Sequence, residues 1–142
     1  MSIVRKREQL SQELHDWVID RNVEQCYGKI KEAGNEIHKN PNQEKNYDVK
    51  GFYPDIVVYN PKKKEVTLID EVETIVGDIE VNQWKDFAKL GIARFSVTIP
   101  VSEVTNAKQR IKSEKIGVTG LWSFETEYPK EKTIKFKQES LT

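Results

Sequence analysis

The chain has 142 residues, 32% of them charged and 9% aromatic, and its 23 lysines and arginines balance 23 aspartates and glutamates. Such a length suits one domain with a small core under a wet surface, in keeping with a mean hydropathy of −0.69, and the aromatic and β-branched content excludes disorder by composition. Zero net charge gives no global vote for nucleic acid. Without an apolar run near the roughly 18 residues that span a bilayer, or a signal-peptide core in Met1 to Leu10, a cytoplasmic protein without a membrane partner is expected.

Val4 to Ala33 holds no proline and only one glycine, Gly28, and predicts helix with Gly34 as its C-cap. Ile19, Val23, Cys26, Ile30 and Ala33 recur at spacings of four and three, the stripe of a buried face. Leu10, Leu14 and Trp17 repeat likewise on the opposite side, so the helix either bends near Asp20 to Asn22 or consists of two pieces. Residues 1–18 then make a helical arm, an addition or a dimer contact. The single Cys26 excludes an intramolecular disulfide framework. A pairing with His15 or His38 is conceivable, but its place in the apolar stripe marks an inert buried thiol, and the two histidines have no ligand-like spacing.

Asn35 to Lys39 predicts a short strand, and Asn40 to Asn46 a surface loop. In Gly51 to Thr74, two β-rich runs, Phe52 to Tyr59 and Glu65 to Glu73, flank the polar turn Asn60 to Lys64, which predicts a hairpin. Alternation points Glu71 and Glu73 to one face, and Asp70 and Val72 to the other. Folding the hairpin brings Asp55 back towards Glu71, so three carboxylates are expected to converge. Like charges this close are unfavourable unless a cation sits among them. Oxygen-only ligands favour Mg²⁺ or Mn²⁺ over Zn²⁺. The same alternation equally describes the solvated face of an ordinary strand.

Gly77 and Asp78 offer a break and an N-cap ahead of a helix carrying Ile79, Trp84, Phe87, Ala88 and Leu90 and ending at Gly91. Arg94 to Ile99 reads as a strand stopped by Pro100. Val104, Ala107 and Ile111 mark a helix whose exposed side carries Lys108, Arg110, Lys112 and Lys115. Gly117 separates it from a strand, Val118 to Phe124, with Trp122 and Phe124 on one face. In the tail, residues 126–142, Ile134 and Phe136 alternate with Lys135 and Lys137 as a short edge strand. The order predicts an α/β fold with a mixed central sheet flanked by helices.

Pro54-Asp55, fifteen residues, then Glu71-Val72-Glu73, within a helix-strand-strand-strand-helix-strand order, resembles the PD-(D/E)XK nuclease superfamily. The small archaeal Holliday-junction resolvases and their single-domain relatives look most similar, across roughly Ile19 to Phe124. The resemblance implies a restriction-endonuclease-like αβββαβ core over residues 19–125, a metal-dependent DNA endonuclease, and Mg²⁺ or Mn²⁺ held by Asp55, Glu71 and Glu73. It makes Glu24, thirty-one residues ahead of Asp55, an outer or second-metal carboxylate. The family's lysine belongs at position 73, where this chain has Glu73. Some type II restriction endonucleases show the same E-x-E pattern, and in other members the lysine has moved to the neighbouring helix, which nominates Lys85, with Gln83 beside it. Glu73 would then orient or deprotonate the attacking water and Lys85 would stabilise the phosphorane. Lys62, Lys63 and Lys64 in the turn, and Lys108, Arg110 and Lys112 on the later helix, are candidate phosphate contacts or simply solvated charge runs. A homodimer would suit a duplex substrate. The competing reading is a nuclease-like binding or structural module that has lost its chemistry, with Glu73 in place of lysine as the reason.

Overall fold

The computed structural model describes residues 3–142, with side chains from Ser11 onward except that of Gln43. Helix α1 runs unbroken from Ile3 to Cys26, so the expected bend near Asp20 to Asn22 does not occur. The interruption falls at Tyr27, before the short α2 (Gly28–Glu32), and Gly34, at a φ of 97°, ends the helical segment. Leu14 and Trp17 do not face a separate environment. They pack on the same apolar cluster as Val18, Ile19, Val23 and Cys26, and Trp17 stacks on Tyr128 with ring centroids 4.9 Å apart. The chain after the fifth strand returns beside α1 and covers its second flank, so the expected arm is part of one docked helix. Of its described side chains, Leu14, Trp17 and Val18 have apolar partners inside the chain. The Leu10 side chain lies outside the described residues.

Six strands form one mixed sheet in sequence order: β1 (Glu36–Lys39), β2 (Ile56–Asn60), β3 (Glu65–Val72), β4 (Arg94–Pro100), β5 (Gly120–Thr126) and β6 (Ile134–Glu139). The first three pair antiparallel, β4 and β5 continue parallel to β3, and β6 pairs antiparallel with β5. Parallel neighbours need crossovers, which α3 (Asp78–Ala88) and α4 (Val104–Ser113) supply. Strand alternation sorts the core into two clusters. Val57, Ile69, Val97, Ile99 and Leu121 face Trp84, Phe87, Ala107 and Ile111 of α3 and α4, whereas Ile56, Val58, Leu68, Val72 and Phe124 face α1 and Tyr27. The chain is therefore α/β, with helices on both faces of a mixed sheet, and none of its described helices is long and apolar enough to cross a membrane.

Several boundaries shift for local reasons that matter to the site. β2 begins at Ile56 instead of Phe52, because Pro54 has no N–H to give a ladder and Phe52 is already paired with Val49 in a tight turn. Asp55 is thus left just ahead of the strand. Gly77 rather than Asp78 precedes α3, and Glu80 Oε1 accepts the Gly77 N–H at 2.8 Å. Ile79 is 73% exposed, because α3 buries Val81, Trp84 and Phe87. The tail strand is the expected sheet edge, but β5 and β6 pair over six residues, making it integral to the sheet.

Candidate active site

Open α/β sheets form crevices at the carboxyl ends of their parallel strands. Here a cavity of about 710 Å³ lies where β3 ends and β2 begins. Glu71 projects from the last turn of β3's alternation on the α3 face, and Glu73 follows the strand end, its N–H bonded to Thr98 O at 2.9 Å. Asp55 reaches across to β3, where its Oδ2 accepts the Val72 N–H at 2.8 Å. Asp55, Glu71 and Glu73 are only 8%, 6% and 8% exposed, and all three line the cavity.

Helix α1 forms a second wall. Ser11 Oγ meets Thr74 Oγ1 at 2.8 Å, and His15 bridges two acids, with Nε2 3.2 Å from Asp55 Oδ2 and Nδ1 3.1 Å from Asp16 Oδ1. The third wall is α3, which contributes Glu80, Gln83, Asp86 and Phe87. From the same helix the fully buried Trp84 donates its indole N–H to Glu73 Oε2 at 2.7 Å. Asn40 locks the loop in front. Its Nδ2 donates to Tyr47 O and Pro54 O, its Oδ1 accepts from Asn46 and Tyr47 N–H, and its own N–H donates to Asp55 O.

Crowding acids in a buried site favours their neutral forms. Burial first, then the charge and hydrogen bond of Asp55, push Glu71 well above the usual carboxylate range. Burial pushes Glu73 up to about 8, although the Trp84 hydrogen bond works the other way. For His15, burial lowers proton affinity, but the hydrogen bond and charge of Asp55, then those of Asp16, outweigh it and raise the pKa to about 9. The imidazole is therefore a cation at neutral pH. On the opposite sheet face, as alternation requires, buried Asp70 is raised by burial to about 6, against hydrogen bonds donated by the Tyr27 and Thr98 hydroxyls and Asn22.

The donor chemistry suits a hard cation, since three buried carboxylates supply oxygen ligands and a surplus of negative charge. The charge of Asp55 raises the proton affinity of Glu71, and a cation among these acids would relieve that repulsion. Convergence is nevertheless incomplete. Among the described residues no three histidine, cysteine, aspartate or glutamate groups close around a single point; Val72 and His15 hold one oxygen of Asp55 and Trp84 holds one of Glu73.

Other expected site residues lie elsewhere. Glu24 is exposed and paired with Arg21 at 2.7 Å. Nine residues beyond His15, it is half a rotation round α1 and about 13 Å further along. Lys85 turns to α4, with Nζ 2.5 Å from Glu114. Two residues differ by about 200° around a helix, so with Gln83 in the cavity Lys85 is turned away. Lys62, Lys63 and Lys64 occupy the turn at the far end of the β2–β3 hairpin, roughly 17 Å of strand from Asp55. Arg110 is held by Asp78 at 3.0 Å and by Glu114, and Lys108 and Lys112 stand on α4 outside the cavity lining. Among the described residues, the cations that do line it are His15 and Lys45. The only trace of the former in the sequence is the helical spacing of Ser11, Gln12 and His15; Lys45 left none.

Compared with protein-family models, with curated proteins and with solved structures, the chain matches none.

Proposed function

We propose that the protein is a metal-dependent nuclease of the PD-(D/E)XK type, hydrolysing phosphodiester bonds in DNA. The observation that carries this reading is the burial of Asp55, Glu71 and Glu73, separated in sequence, around one cavity at the carboxyl end of β3. An antiparallel β1–β2–β3 meander followed by parallel β4, with α1 and α3 on opposite faces, also supports a restriction-endonuclease-like core.

Asp55, Glu71 and Glu73 would hold Mg²⁺ or Mn²⁺, which when bound polarises a phosphoryl oxygen and acidifies a water. Glu73, oriented by the Trp84 N–H and deprotonated once a cation sits beside it, is suited to take a proton from that water. His15 fixes Asp55 and brings positive charge to the site. It fills the place that neither position 73 nor Lys85 provides. Gln83 and Lys45 offer hydrogen bonds and charge to the phosphate from the cavity wall.

One observation favours a second reading, a nuclease-like module without chemistry: Lys85, the expected substitute lysine, is bound to Glu114. Cleavage of single-stranded, duplex, flap and four-way-junction DNA with Mg²⁺ or Mn²⁺ separates the two. The nuclease cuts at least one of them, and Glu71→Ala slows it at least about a hundredfold. A wild type that cuts none of them supports the inactive module.

A further inference from the structure

Val49 and Phe52 exchange backbone hydrogen bonds of 2.8 and 3.0 Å, closing a two-residue turn in which Lys50 and Gly51 have φ of 52° and 88°. Two successive positive φ values define the tight turn that matches strand twist, and lysine is a poor occupant of it. The turn is nevertheless pinned from both sides. Asp48 Oδ1 accepts the Gly51 N–H at 2.6 Å, and Lys50 Nζ donates to Leu90 O at 2.6 Å.

What this anchored turn holds up is an aromatic ring at the cavity rim. Phe52 is 38% exposed, its edge supported by Phe87 at 5.6 Å and 67°. Next to it, Tyr53 lines the cavity with Lys45 Nζ 5.6 Å from its ring centroid. Lys45 enters no ion pair among the described residues. An exposed ring on a pinned turn and a lysine-topped ring, both lining the carboxylate cavity, combine the two elements by which proteins hold unpaired nucleotides: a stacking face and a backbone cation.

We propose that Phe52 and Tyr53 form a stacking subsite for the base of an unpaired nucleotide, whose phosphate Lys45 contacts, beside the carboxylate cavity. This inference rests on the nuclease reading of that cavity. A base inside a duplex has both faces covered and cannot use such a platform, so the substrate is a single strand or the unpaired end of a duplex. Zero net charge fits this class, since stacking on one or two bases needs fewer cations than gripping a long duplex. Lys45 over Tyr53 favours a nucleotide over an apolar peptide segment on the same rim.

The test is fluorescence anisotropy of the full chain with a labelled oligothymidylate, a blunt duplex of equal length and a duplex bearing an unpaired 3′ tail, with cleavage of the same molecules followed in Mg²⁺ or Mn²⁺. Wild type should bind the single strand and the tailed duplex more tightly than the blunt one. Phe52→Ala and Phe52→Leu, the latter keeping an apolar contact on Phe87, should each weaken single-strand binding roughly tenfold, and Phe52→Trp should retain it. Lys45→Gln should flatten the salt dependence. Single-strand affinity unchanged in both Phe52→Ala and Phe52→Leu, or tighter binding of the blunt duplex, overturns the subsite. Metal-dependent cutting indifferent to Phe52 keeps the nuclease and removes the subsite. Ring-dependent binding without cutting in any metal keeps the subsite and removes the nuclease.

Discussion

Asn40 spends its whole side-chain amide on four backbone groups and its own N–H on Asp55 O. No water replaces these partners in a buried position, so Asn40→Ala should lower stability by about 2–3 kcal/mol, measured by urea denaturation, and loosen the segment that presents Asp55. The sequence around it, polar and turn-forming, describes a surface loop correctly but carries no mark of the one buried amide. Asp55, Glu71 and Glu73 were legible because strand alternation and a hairpin are local rules. His15 was not, because its role depends on Asp55, forty residues away, and on the placement of a helix that local patterning leaves open.

Among the elements, α1 and α3 show how helical phase decides which expectations survive. Of the residues expected to act from them, Lys85 has the wrong rotation, and Glu24 is both half a rotation and about 13 Å from the His15 end of the site. Lys85→Ala should therefore leave metal-dependent cleavage unchanged and reduce stability by less than about 1 kcal/mol, as for an exposed ion pair; a large loss of cleavage would mean that Lys85 swings into the site. The two-sided apolar pattern of α1 reads as a bend only while the tail is thought to be separate. Trp17 stacked on Tyr128 explains both. A double-mutant cycle on this pair should return a coupling of about 0.5–1.5 kcal/mol, and zero coupling would detach the tail from the helix.

Across the whole molecule, the layer order was readable because neighbouring strands in sequence are also neighbours in the sheet. The charge distribution was not, since zero net charge conceals buried acids whose protonation depends on their surroundings. Folded Glu73 holds its proton to about pH 8, whereas an unfolded glutamate releases it near 4.3. Between those values the folded chain binds the extra proton, so stability falls as pH rises. Glu71 acts in the same direction, Asp70 adds a lower window ending near 6, and His15, at about 9 folded against 6.5 unfolded, contributes stability that is complete below 6.5 and lost through 9. Metal-free protein should therefore denature at lower urea at pH 9 than at pH 5.5. Glu73→Gln should flatten that slope, each tenfold change in proton affinity being worth about 1.4 kcal/mol. A stability that climbs over this range would contradict the burial of these acids as described.

The proposed chemistry requires that the acid cluster bind a divalent cation. Isothermal titration of the metal-free chain with Mn²⁺ at neutral pH measures this, with Asp55→Ala and Glu71→Ala as comparisons of intact fold. Saturable binding of Mn²⁺ by the wild type, lost in both variants, is the result predicted. No binding, or binding that survives both substitutions, would contradict the metal centre and leave the buried carboxylates a structural feature of the β3 terminus.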